Sequence, residues 1–410
     1  MSDDQTILFL GDGMADEPVA ELGGRTPLQA AATPAMDRIA REGRNGTLLT
    51  LPDAYPTSSD VANMSVLGCD LATELCGRGP LEAASQGLAL GCDEVCFRVN
   101  LVRVDGDGIL RDYAGGHPSQ DEAEEAIRLL NAALGGPGIR FHAGVSYRNL
   151  LVLSGAAFSD AVACDKPDDH AGHPLAGHPP HATRPEGEAT AALLRSLMDR
   201  ARRVLAAHTA NAIWPWSGGR AGTIHAITAR YGIRAAVISA VDVINGLGRC
   251  MGMDVIRVPG ATGYIDTDYE AKADAAIAAI RDHDFVYVHV EAMDEVSHAR
   301  DTALKVKTIE DFDRRLIGRV MAAVPPGTTF VVLPDHPVPV ATGRHTRTPV
   351  PVAVWRPGIA PDAVQTYDEI ACLKGALGAM RGPALMDLLF RTGRNACPTL
   401  RRGTPAASRR

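Results

Sequence analysis

The chain has 410 residues, a formal net charge of −8 and a hydrophobic content of 46%. This length is enough for two domains of ordinary size, and this composition supports a large core, which excludes a globally disordered chain. No block of basic residues alternates with aromatic residues, so we expect no nucleic-acid partner. The basic residues between 401 and 410 are separated by Gly, Thr, Pro, Ala and Ser, which predicts a disordered tail.

Cysteine usage and hydropathy indicate the cellular compartment in which the protein is expected. The eight cysteines include no CxxC pair, and a chain this long needs no disulfide staples, so we expect reduced thiols. No signal peptide is visible, and no apolar run approaches the roughly 20 residues of a spanning helix. The sequence therefore predicts a cytoplasmic protein without a membrane partner, and it leaves the oligomeric state open.

The first predicted element is a buried strand. Residues 6–10 form a short apolar run that stops at a Gly-Asp-Gly turn, which puts Asp12 at the carboxyl end of the strand. A helix is expected over residues 33–43, because Thr33 can cap its start and Gly43 can end it.

The middle of the chain differs in composition, being rich in Gly, Pro and His. We interpret residues 77–216 as an inserted α+β cap domain. Residues 166–181 are predicted to be a loop on composition alone. A flexible loop is favoured there over a third metal site, which its clustered side chains also suggest: Asp169, His170, His173, His178 and His181.

The C-terminal part returns to alternating strands and helices. Strands are predicted at residues 285–290, 329–333 and 350–355, and helices at residues 269–282 and 301–324. Such alternation predicts an α/β fold with a doubly wound, mostly parallel sheet. The core is then discontinuous, with residues 1–76 as its first segment and residues 217–400 as its second.

Polar residues follow three of the predicted strands. Asp12, Asp294 and Asp335 each lie beyond a strand end, where ligands bind in sheets of this kind. His298 comes four residues after Asp294, so both side chains lie on one helix face and can share a metal ion.

Two further histidines extend this set. His336 directly follows Asp335, and His345 lies in a nearby Gly- and Thr-rich loop. Each pair alone is common as a surface contact or a turn, whereas the set together predicts a metal site. Mixed Asp and His ligation suits Mn²⁺ or Zn²⁺ better than Mg²⁺ alone.

Ser59 is the candidate nucleophile. A serine hydroxyl needs a base or a metal to ionise it at neutral pH. No Gly-x-Ser-x-Gly sequence surrounds Ser59, so a hydrolase triad has little support. Two metal ions about 3.5–4 Å apart can clamp a phosphoryl group and lower the pKa of the hydroxyl. Ser58 is a rival nucleophile.

The order and spacing of these residues closely resemble the alkaline phosphatase superfamily and, within it, the archaeal-type cofactor-independent (2,3-bisphosphoglycerate-independent) phosphoglycerate mutases. The resemblance covers most of the chain. The strings that carry it are L-G-D-G-M-A-D (10–16), S-D-V-A-N-M-S-V-L-G (59–68), G-R-G-P-L-E-A-A-S (77–85), F-R-V-N-L-V (97–102), G-V-S-Y-R-N-L (144–150), V-P-G-A-T-G-Y (258–264), H-V-E-A-M-D-E-V-S-H (289–298) and P-D-H-P-V-P (334–339).

The resemblance implies an alkaline-phosphatase-type fold and a metal-dependent isomerase. Ser59 matches the residue that becomes phosphorylated. One divalent metal ion is expected on Asp294, His298 and His345, and a second on Asp12, Asp335, His336 and Ser59. Mn²⁺ is favoured, with Zn²⁺, Co²⁺ and Mg²⁺ as alternatives, and no 2,3-bisphosphoglycerate is needed.

The implied reaction is an intramolecular transfer in two steps. The phosphoryl group of 3-phosphoglycerate moves to the serine and then to the other hydroxyl of the same glycerate, while the cap excludes water. A small anionic substrate needs cations, and His117, Arg98, Arg148 and Arg78 are the candidates. For each arginine the alternative is a solvated surface residue or an internal ion pair.

Two departures from the family pattern leave alternatives open. Thr57 and Ser58 stand where relatives usually have Pro-Gly, and a polar stretch that relatives carry before Asn211 is absent. The shortening predicts weaker activity on 3-phosphoglycerate, unless it is a harmless loop deletion. The substrate is then another small phosphorylated or phosphonate/phosphinate acid of a biosynthetic pathway, or the enzyme is a homoserine kinase-like phosphotransferase. A non-catalytic binding protein is the third alternative.

Overall fold

A computed structural model of the chain describes residues 5–222 and 224–391. The predicted tail at 401–410 and the last part of the second core segment, from residue 392, lie outside the described residues.

The secondary structure alternates strands and helices over most of the described chain. The strands are β1 (Thr6–Gly11), β2 (Arg44–Leu49), β3 (Glu94–Val104), β4 (Leu110–Asp112), β5 (Ile139–Val145), β6 (Arg148–Ser154), β7 (Val162–Ala163), β8 (His181–Ala182), β9 (Ala212–Gly219), β10 (Ala235–Ile238), β11 (Asp254–Ile256), β12 (Phe285–Val290), β13 (Thr329–Pro334), β14 (Val350–Trp355) and β15 (Gly378–Arg381). The α-helices are α1 (Pro27–Ala30), α2 (Pro34–Glu42), α3 (Ser59–Val66), α4 (Leu71–Glu74), α5 (Arg78–Ser85), α6 (Gln120–Leu134), α7 (Glu188–Val204), α8 (Ile227–Tyr231), α9 (Asp242–Cys250), α10 (Tyr269–Ala279), α11 (Ala292–His298), α12 (Thr302–Asp311), α13 (Gly318–Ala323), α14 (Glu369–Cys372) and α15 (Ala384–Phe390).

The larger sheet has eight strands in the order β11-β10-β12-β1-β13-β14-β2-β15. Only β14 runs antiparallel to its neighbours. Both faces are covered, because separate apolar clusters lie on the two sides of β1, with Leu8 and Leu10 in one and Ile7 and Phe9 in the other. This architecture confirms the predicted α/β fold with a mostly parallel sheet.

The register of the three central strands sets the position of the site. β1 pairs in parallel with β12 on one side and with β13 on the other. Gly11 is level with Val290 of β12 and with Pro334 of β13. The residues that follow these three positions therefore emerge together at one edge of the sheet.

The smaller sheet is antiparallel and has five strands. β3 pairs with β4, β6 and β9, and β5 pairs with β6. Helices α6 and α7 contribute to the apolar cluster on one face of this sheet. The sheet lies within residues 94–219, so β9 extends past position 216, and the boundaries of the cap at 77 and 216 stay a prediction. Helix α5 packs against both α9 and β3 and so joins the two sheets.

Two local predictions differ from the structure. Thr33 precedes α2, but its side chain makes no capping hydrogen bond. The carboxylate of Asp313 accepts from the N–H groups of Ala35 at 3.1 Å and Met36 at 2.7 Å instead, because a carboxylate is a stronger acceptor at a helix start than a hydroxyl. The long helix predicted over 301–324 contains a π-helical segment, Phe312–Ile317, between α12 and α13.

The described cysteines are all free thiols. Across residues 5–222 and 224–391, no helix has both the length and the apolar character needed to cross a membrane.

Candidate active site

The structure brings together all seven residues predicted as metal ligands or nucleophile. Asp12 follows β1, Asp335 and His336 follow β13, and Asp294 lies in α11 directly after β12. Asp12, Asp335 and His336 are completely buried. The equal register of β1, β12 and β13 explains why residues more than 300 positions apart in sequence meet here.

The first group consists of Asp294, His298 and His345. Nε2 of His298 lies 3.3 Å from one oxygen of Asp294, and Nε2 of His345 lies 3.4 Å from the other. The Nδ1 atoms donate to backbone carbonyls, His298 to Gly343 at 2.8 Å and His345 to Thr57 at 3.2 Å. Because these bonds occupy Nδ1, both lone pairs are left on Nε2 and face the same point, which is how metal-binding imidazoles are held.

The second group consists of Asp12, Asp335, His336 and Ser59. Nε2 of His336 lies 3.3 Å from Oδ1 of Asp12, 3.4 Å from Oδ2 of Asp335 and 3.3 Å from the hydroxyl of Ser59. The two groups adjoin, because the rings of His336 and His345 stack with centroids 3.9 Å apart.

Several buried polar atoms of these groups have no hydrogen-bond partner. They are Oδ1 of Asp12, Oδ1 of Asp294, Nδ1 of His336 and Oε2 of Glu291. A buried acceptor without a partner is costly, and an atom of this kind in a set of carboxylates and imidazoles fits a cation. The donor set therefore fits divalent metal ions.

The pKa values of the carboxyl groups show the same shortage of positive charge. Burial, followed by repulsion from Asp335, raises the pKa of Asp12 well above its ordinary value. Burial and the charge of Asp294 do the same to Asp335. For Asp294, burial is outweighed by hydrogen bonds from His298 and His345, which hold its pKa well below the ordinary value. A divalent cation relieves this repulsion.

Ser59, the candidate nucleophile, is the first residue of helix α3. The side-chain amide of Asn63, one turn later, donates to the Ser59 carbonyl at 2.8 Å and to Oδ2 of Asp335 at 2.9 Å. Tyr287 donates in turn to Oδ1 of Asn63. This chain of buried hydrogen bonds fixes the start of α3 against the end of β13 and holds the Ser59 hydroxyl at the metal-ligand groups.

The candidate substrate residues His117, Arg98 and Arg148 surround one aromatic ring, that of Tyr147. The guanidinium of Arg148 lies 5.1 Å from the ring centroid, that of Arg98 lies 6.0 Å away, and the ring of His117 packs edge-on at 5.6 Å. His117 has a φ of 52°, a left-handed conformation that non-glycine residues seldom adopt and that is concentrated at functional sites.

The arginines differ in their partners. Arg98 forms a buried ion pair with Glu82 at 2.5 Å, which is the alternative that the sequence left open for it. Arg78 lies 3.5 Å from Asp60, the residue after the candidate nucleophile. Within the part of the chain that the structure describes, Arg148 has no carboxylate within 4 Å, and its guanidinium interacts with Tyr147.

Sequence reasoning missed three residues of the site. His289 is buried and lies 2.9 Å from the Oδ2 atom of Asp12 and 3.1 Å from the hydroxyl of Ser239. Burial, followed by Asp294, raises the pKa of Glu291 to about 7. The third residue is Asn63. A histidine inside the apolar run of β12 was a usable signal, since a polar residue in a fully buried strand needs a partner. Nothing in the sequence singled out Asn63.

The buried side chain of Lys305 contacts the loops that carry the site. Its ammonium donates to Oδ2 of Asp16 at 2.8 Å and to the carbonyls of Ala15 and Val338. Because Ala15 follows β1 and Val338 follows β13, this buried ion pair ties together the loops that carry Asp12 and His336.

Comparisons with known proteins agree with this geometry. A family model described as the metalloenzyme superfamily matches residues 4–392. A 2,3-bisphosphoglycerate-independent phosphoglycerate mutase of Methanosarcina acetivorans is 43% identical over 394 residues, which is 94% of this chain and 99% of that relative. An enzyme of the same name from Methanosarcina mazei is 42% identical over 401 residues, with the same coverage.

Solved structures are similar over nearly the whole chain. A Pyrococcus horikoshii protein superimposes with a TM-score of 0.79 at 27% identity, covering 96% of this chain and 99% of that one. A cofactor-independent phosphoglycerate mutase of Thermoplasma acidophilum gives a TM-score of 0.64 at 27% identity, covering 95% and 99%. The superfamily match and the donor set both support dependence on divalent metal. The chain therefore belongs to the family of 2,3-bisphosphoglycerate-independent phosphoglycerate mutases, within the metalloenzyme superfamily.

Proposed function

We propose that this chain interconverts 3-phosphoglycerate and 2-phosphoglycerate by passing the phosphoryl group through Ser59. The observation that carries the proposal is the position of the Ser59 hydroxyl, 3.3 Å from His336 and at the junction of two groups of metal-ligand side chains. The relatives named for this activity match at 42–43% identity over 94% of the chain. Action in the cytoplasm on a small anionic phosphorylated substrate is part of the same proposal.

The donor set supports two metal ions. Asp294, His298 and His345 hold one, and Asp12, Asp335, His336 and Ser59 hold the other. Mn²⁺ suits this mixture of carboxylates and imidazoles, and Zn²⁺, Co²⁺ and Mg²⁺ are alternatives. When bound, such ions neutralise the phosphoryl oxygens and lower the pKa of the serine hydroxyl.

The transfer consists of two balanced steps. In the first, the Ser59 oxygen bonds to phosphorus and the bond from phosphorus to the C3 oxygen breaks, so the serine loses a proton and the C3 oxygen gains one. In the second, the C2 oxygen bonds to phosphorus and the bond to Ser59 breaks, with the protons moving in the reverse sense. No second phosphate donor is required, which agrees with independence from 2,3-bisphosphoglycerate.

The cap side holds the rest of the substrate. The guanidinium of Arg148 matches the carboxylate of the glycerate, with Arg98, Arg78 and His117 adding positive charge or donors around it. Because the glycerate must turn before the second step, these contacts keep it bound after its phosphoryl group has left. With residues 77–216 as a cap over the core segments 1–76 and 217–400, the site is also shielded from water, which would otherwise take the phosphoryl group.

The test is a reaction without any bisphosphoglycerate. Metal-loaded protein is mixed with 3-phosphoglycerate and ¹³C-labelled free glycerate, and the products are followed by ³¹P and ¹³C NMR. We expect 2-phosphoglycerate with no label and no free phosphate. Label in the phosphoglycerates would indicate transfer between molecules, and release of phosphate alone would indicate a phosphatase. Either result contradicts the proposal.

A further inference from the structure

A loop of the cap brings three histidines together outside the candidate active site. β7 and β8 pair at Ala163 and His181, and this pairing closes the base of a loop over residues 164–180. Within the loop, one ring nitrogen each of His170, His173 and His178 lies within 4.8 Å of the others. The rings of His170 and His178 are closest, with centroids 3.7 Å apart.

Asp165 orients the ring of His178. Nδ1 of His178 lies 2.8 Å from Oδ2 of Asp165, so this N–H donates to the carboxylate and the lone pair is left on Nε2. Metal-binding histidines characteristically have such a carboxylate on their second nitrogen, which fixes the tautomer and makes the ligand more basic. The same oxygen lies 3.6 Å from Nε2 of His170.

The remaining nitrogen of His170 is an unexplained buried atom. Nδ1 of His170 is enclosed and has no hydrogen-bond partner. A cluster that served packing alone would leave this acceptor unsatisfied at a cost in stability, and would also bring lone pairs of neighbouring rings together. A cation bound by this nitrogen would remove the first cost, and a cation shared by the rings would remove the second.

The indole of Trp214, in strand β9 of the smaller sheet, lies beside the histidine rings. The ring of His170 lies parallel to the buried indole of Trp214 in β9, with 8° between the planes and 6.1 Å between the centroids. The indole N–H donates to the backbone carbonyl of Asp165 at 2.9 Å. Strand β9 therefore fixes both His170 and the start of the loop, as a preorganised site requires.

We propose that His170, His173 and His178 bind one zinc ion, at a site separate from the two groups around Ser59. Three imidazoles favour Zn²⁺ over Mg²⁺ and Mn²⁺, which prefer oxygen ligands. The fourth position of a tetrahedral ion is open to water, as Asp165 already serves His178. Sequence analysis weighed a third metal site in this segment and favoured a flexible loop, whereas the structure brings ring nitrogens of three of its histidines together.

The loop also carries charged residues that interact with two of the candidate substrate residues, Arg98 and Arg78. Lys166 and Asp168 belong to the same loop, and their charged groups lie 3.0 Å apart. Burial would raise the pKa of Asp168, but Lys166, and after it Arg98 and Arg78, hold it below its ordinary value. The loop thus borders the cationic side of the candidate active site, and zinc fixes its position there.

The test counts zinc in protein without a polyhistidine tag. The protein is loaded with Zn²⁺, separated from free metal by gel filtration and analysed by inductively coupled plasma mass spectrometry. We expect the His170→Gln/His178→Gln double variant to hold one zinc ion fewer per chain than the wild type. His181→Gln is the matched control, because His181 is in β8 beside the loop and outside the cluster, and it should match the wild type.

Three further variants keep the test decisive. His173 is exposed, so His173→Gln should leave the fold intact even if the double variant misfolds. This variant should weaken the binding of this zinc ion at least about 10-fold. Asp165→Ala should weaken it by about 10–100-fold. His298→Ala should lower zinc at the catalytic groups and spare this site, so failure of the two proposals can be told apart. Equal zinc content in wild type, double variant and His173→Gln overturns the inference.

Discussion

The hydroxyl of Ser59 lies 3.3 Å from Nε2 of His336, although the two residues are 277 positions apart in the chain. Asn63 enforces this proximity, because its amide bridges the Ser59 carbonyl and the Asp335 carboxylate. The candidate nucleophile is therefore held by the same strand end that supplies two of the candidate metal ligands.

Replacing Ser59 with alanine should remove the phosphoenzyme and nearly all turnover. Only one hydroxyl is lost, and the Asn63 bonds to the backbone of residue 59 and to Asp335 remain, so the fold should persist. The measurement is intact-protein mass spectrometry after mixing with 3-phosphoglycerate, together with the rate of 2-phosphoglycerate formation. Wild-type protein should show a phosphoserine that maps to position 59.

Ser58→Ala is the matched control for that experiment. Ser58 precedes α3 and is the rival nucleophile, with no side-chain capping bond of its own to lose. The variant should keep the phosphoenzyme and most of the rate. A phosphoserine at position 58 in the wild type would overturn the assignment of Ser59.

The strand ends of the site were predictable from sequence, whereas its hydrogen-bond network was not. A short apolar run that stops at a polar residue indicates both a buried strand and the residue at its tip, which is how Asp12 and Asp335 were found. The parallel register that aligns Gly11 with Val290 and Pro334 depends on pairing between strands distant in sequence, so no local sequence pattern predicts it. Asn63 lies in a helix among buried residues, and only its partners reveal its role.

Removing a candidate metal ligand should lower both metal content and rate. Asp294→Asn removes the carboxylate that contacts both His298 and His345, and we expect Mn²⁺ affinity to fall at least about 10–100-fold. Elemental analysis and isothermal titration calorimetry measure this. His283→Ala is the control, because His283 pairs with Asp254 and precedes β12, whereas Asp294 lies beyond the other end of that strand. Two tightly bound metal ions in the Asp294→Asn protein would contradict the ligand assignment.

Metal affinity should rise with pH. Burial alone would lower the pKa of His298, but its hydrogen bond to Asp294 raises it to about 9 in the metal-free protein. Below that pH the imidazolium proton competes with the metal, so the apparent affinity falls as pH falls, by roughly tenfold per unit for each proton displaced. From pH 8.0 to 6.5 we therefore expect Mn²⁺ to bind at least about 30-fold more weakly.

The number of protons released on metal binding is a second, independent measurement of whether His298 is a ligand. Calorimetric titrations in buffers of different ionisation enthalpy should show about one or more protons released for each metal ion bound near neutral pH. Binding that is independent of pH, with no protons released, would show that His298 is not a ligand.

Arg148 should contribute to substrate binding and not to metal binding. Arg148→Met removes a guanidinium with no carboxylate partner among the described residues, while keeping much of the packing on Tyr147. Loss of one charge-assisted contact costs about 1.5–3 kcal/mol, so kcat/KM for 3-phosphoglycerate should fall about 10–150-fold. Metal content should not change. Arg140→Met, an exposed arginine in the same sheet, is the control and should leave kcat/KM unaltered.

The connection between α7 and β9, where sequence analysis expects a polar stretch of the family to be absent, is the feature most able to change the substrate. Residues 205–211 connect α7 to β9. The side-chain amide of Asn211 accepts from the Val104 N–H of β3 and donates to the Val104 carbonyl, both at 2.9 Å. This connection packs against Gly115 and Gly116, so closely that side-chain carbons added there would lie 2.9 Å from Ala210 and 3.4 Å from Thr209. His117 directly follows Gly116, so this connection borders the candidate substrate residues.

Because of this location, we expect activity on 3-phosphoglycerate to be weaker than in relatives that carry a polar stretch before the residue equivalent to Asn211. The metal-ligand groups are intact, whereas specificity comes from contacts with the part of the substrate that is not transferred. Loss of two charge-assisted contacts, at about 1.5–3 kcal/mol each, corresponds to a roughly 10²–10⁴-fold lower kcat/KM unless Arg148 and Arg98 compensate. The measurement is kcat/KM for 3-phosphoglycerate with the metal sites saturated. A value of about 10⁴ M⁻¹s⁻¹ or more, the ordinary range for enzymes, would show that the cap arginines suffice and that the deletion is neutral.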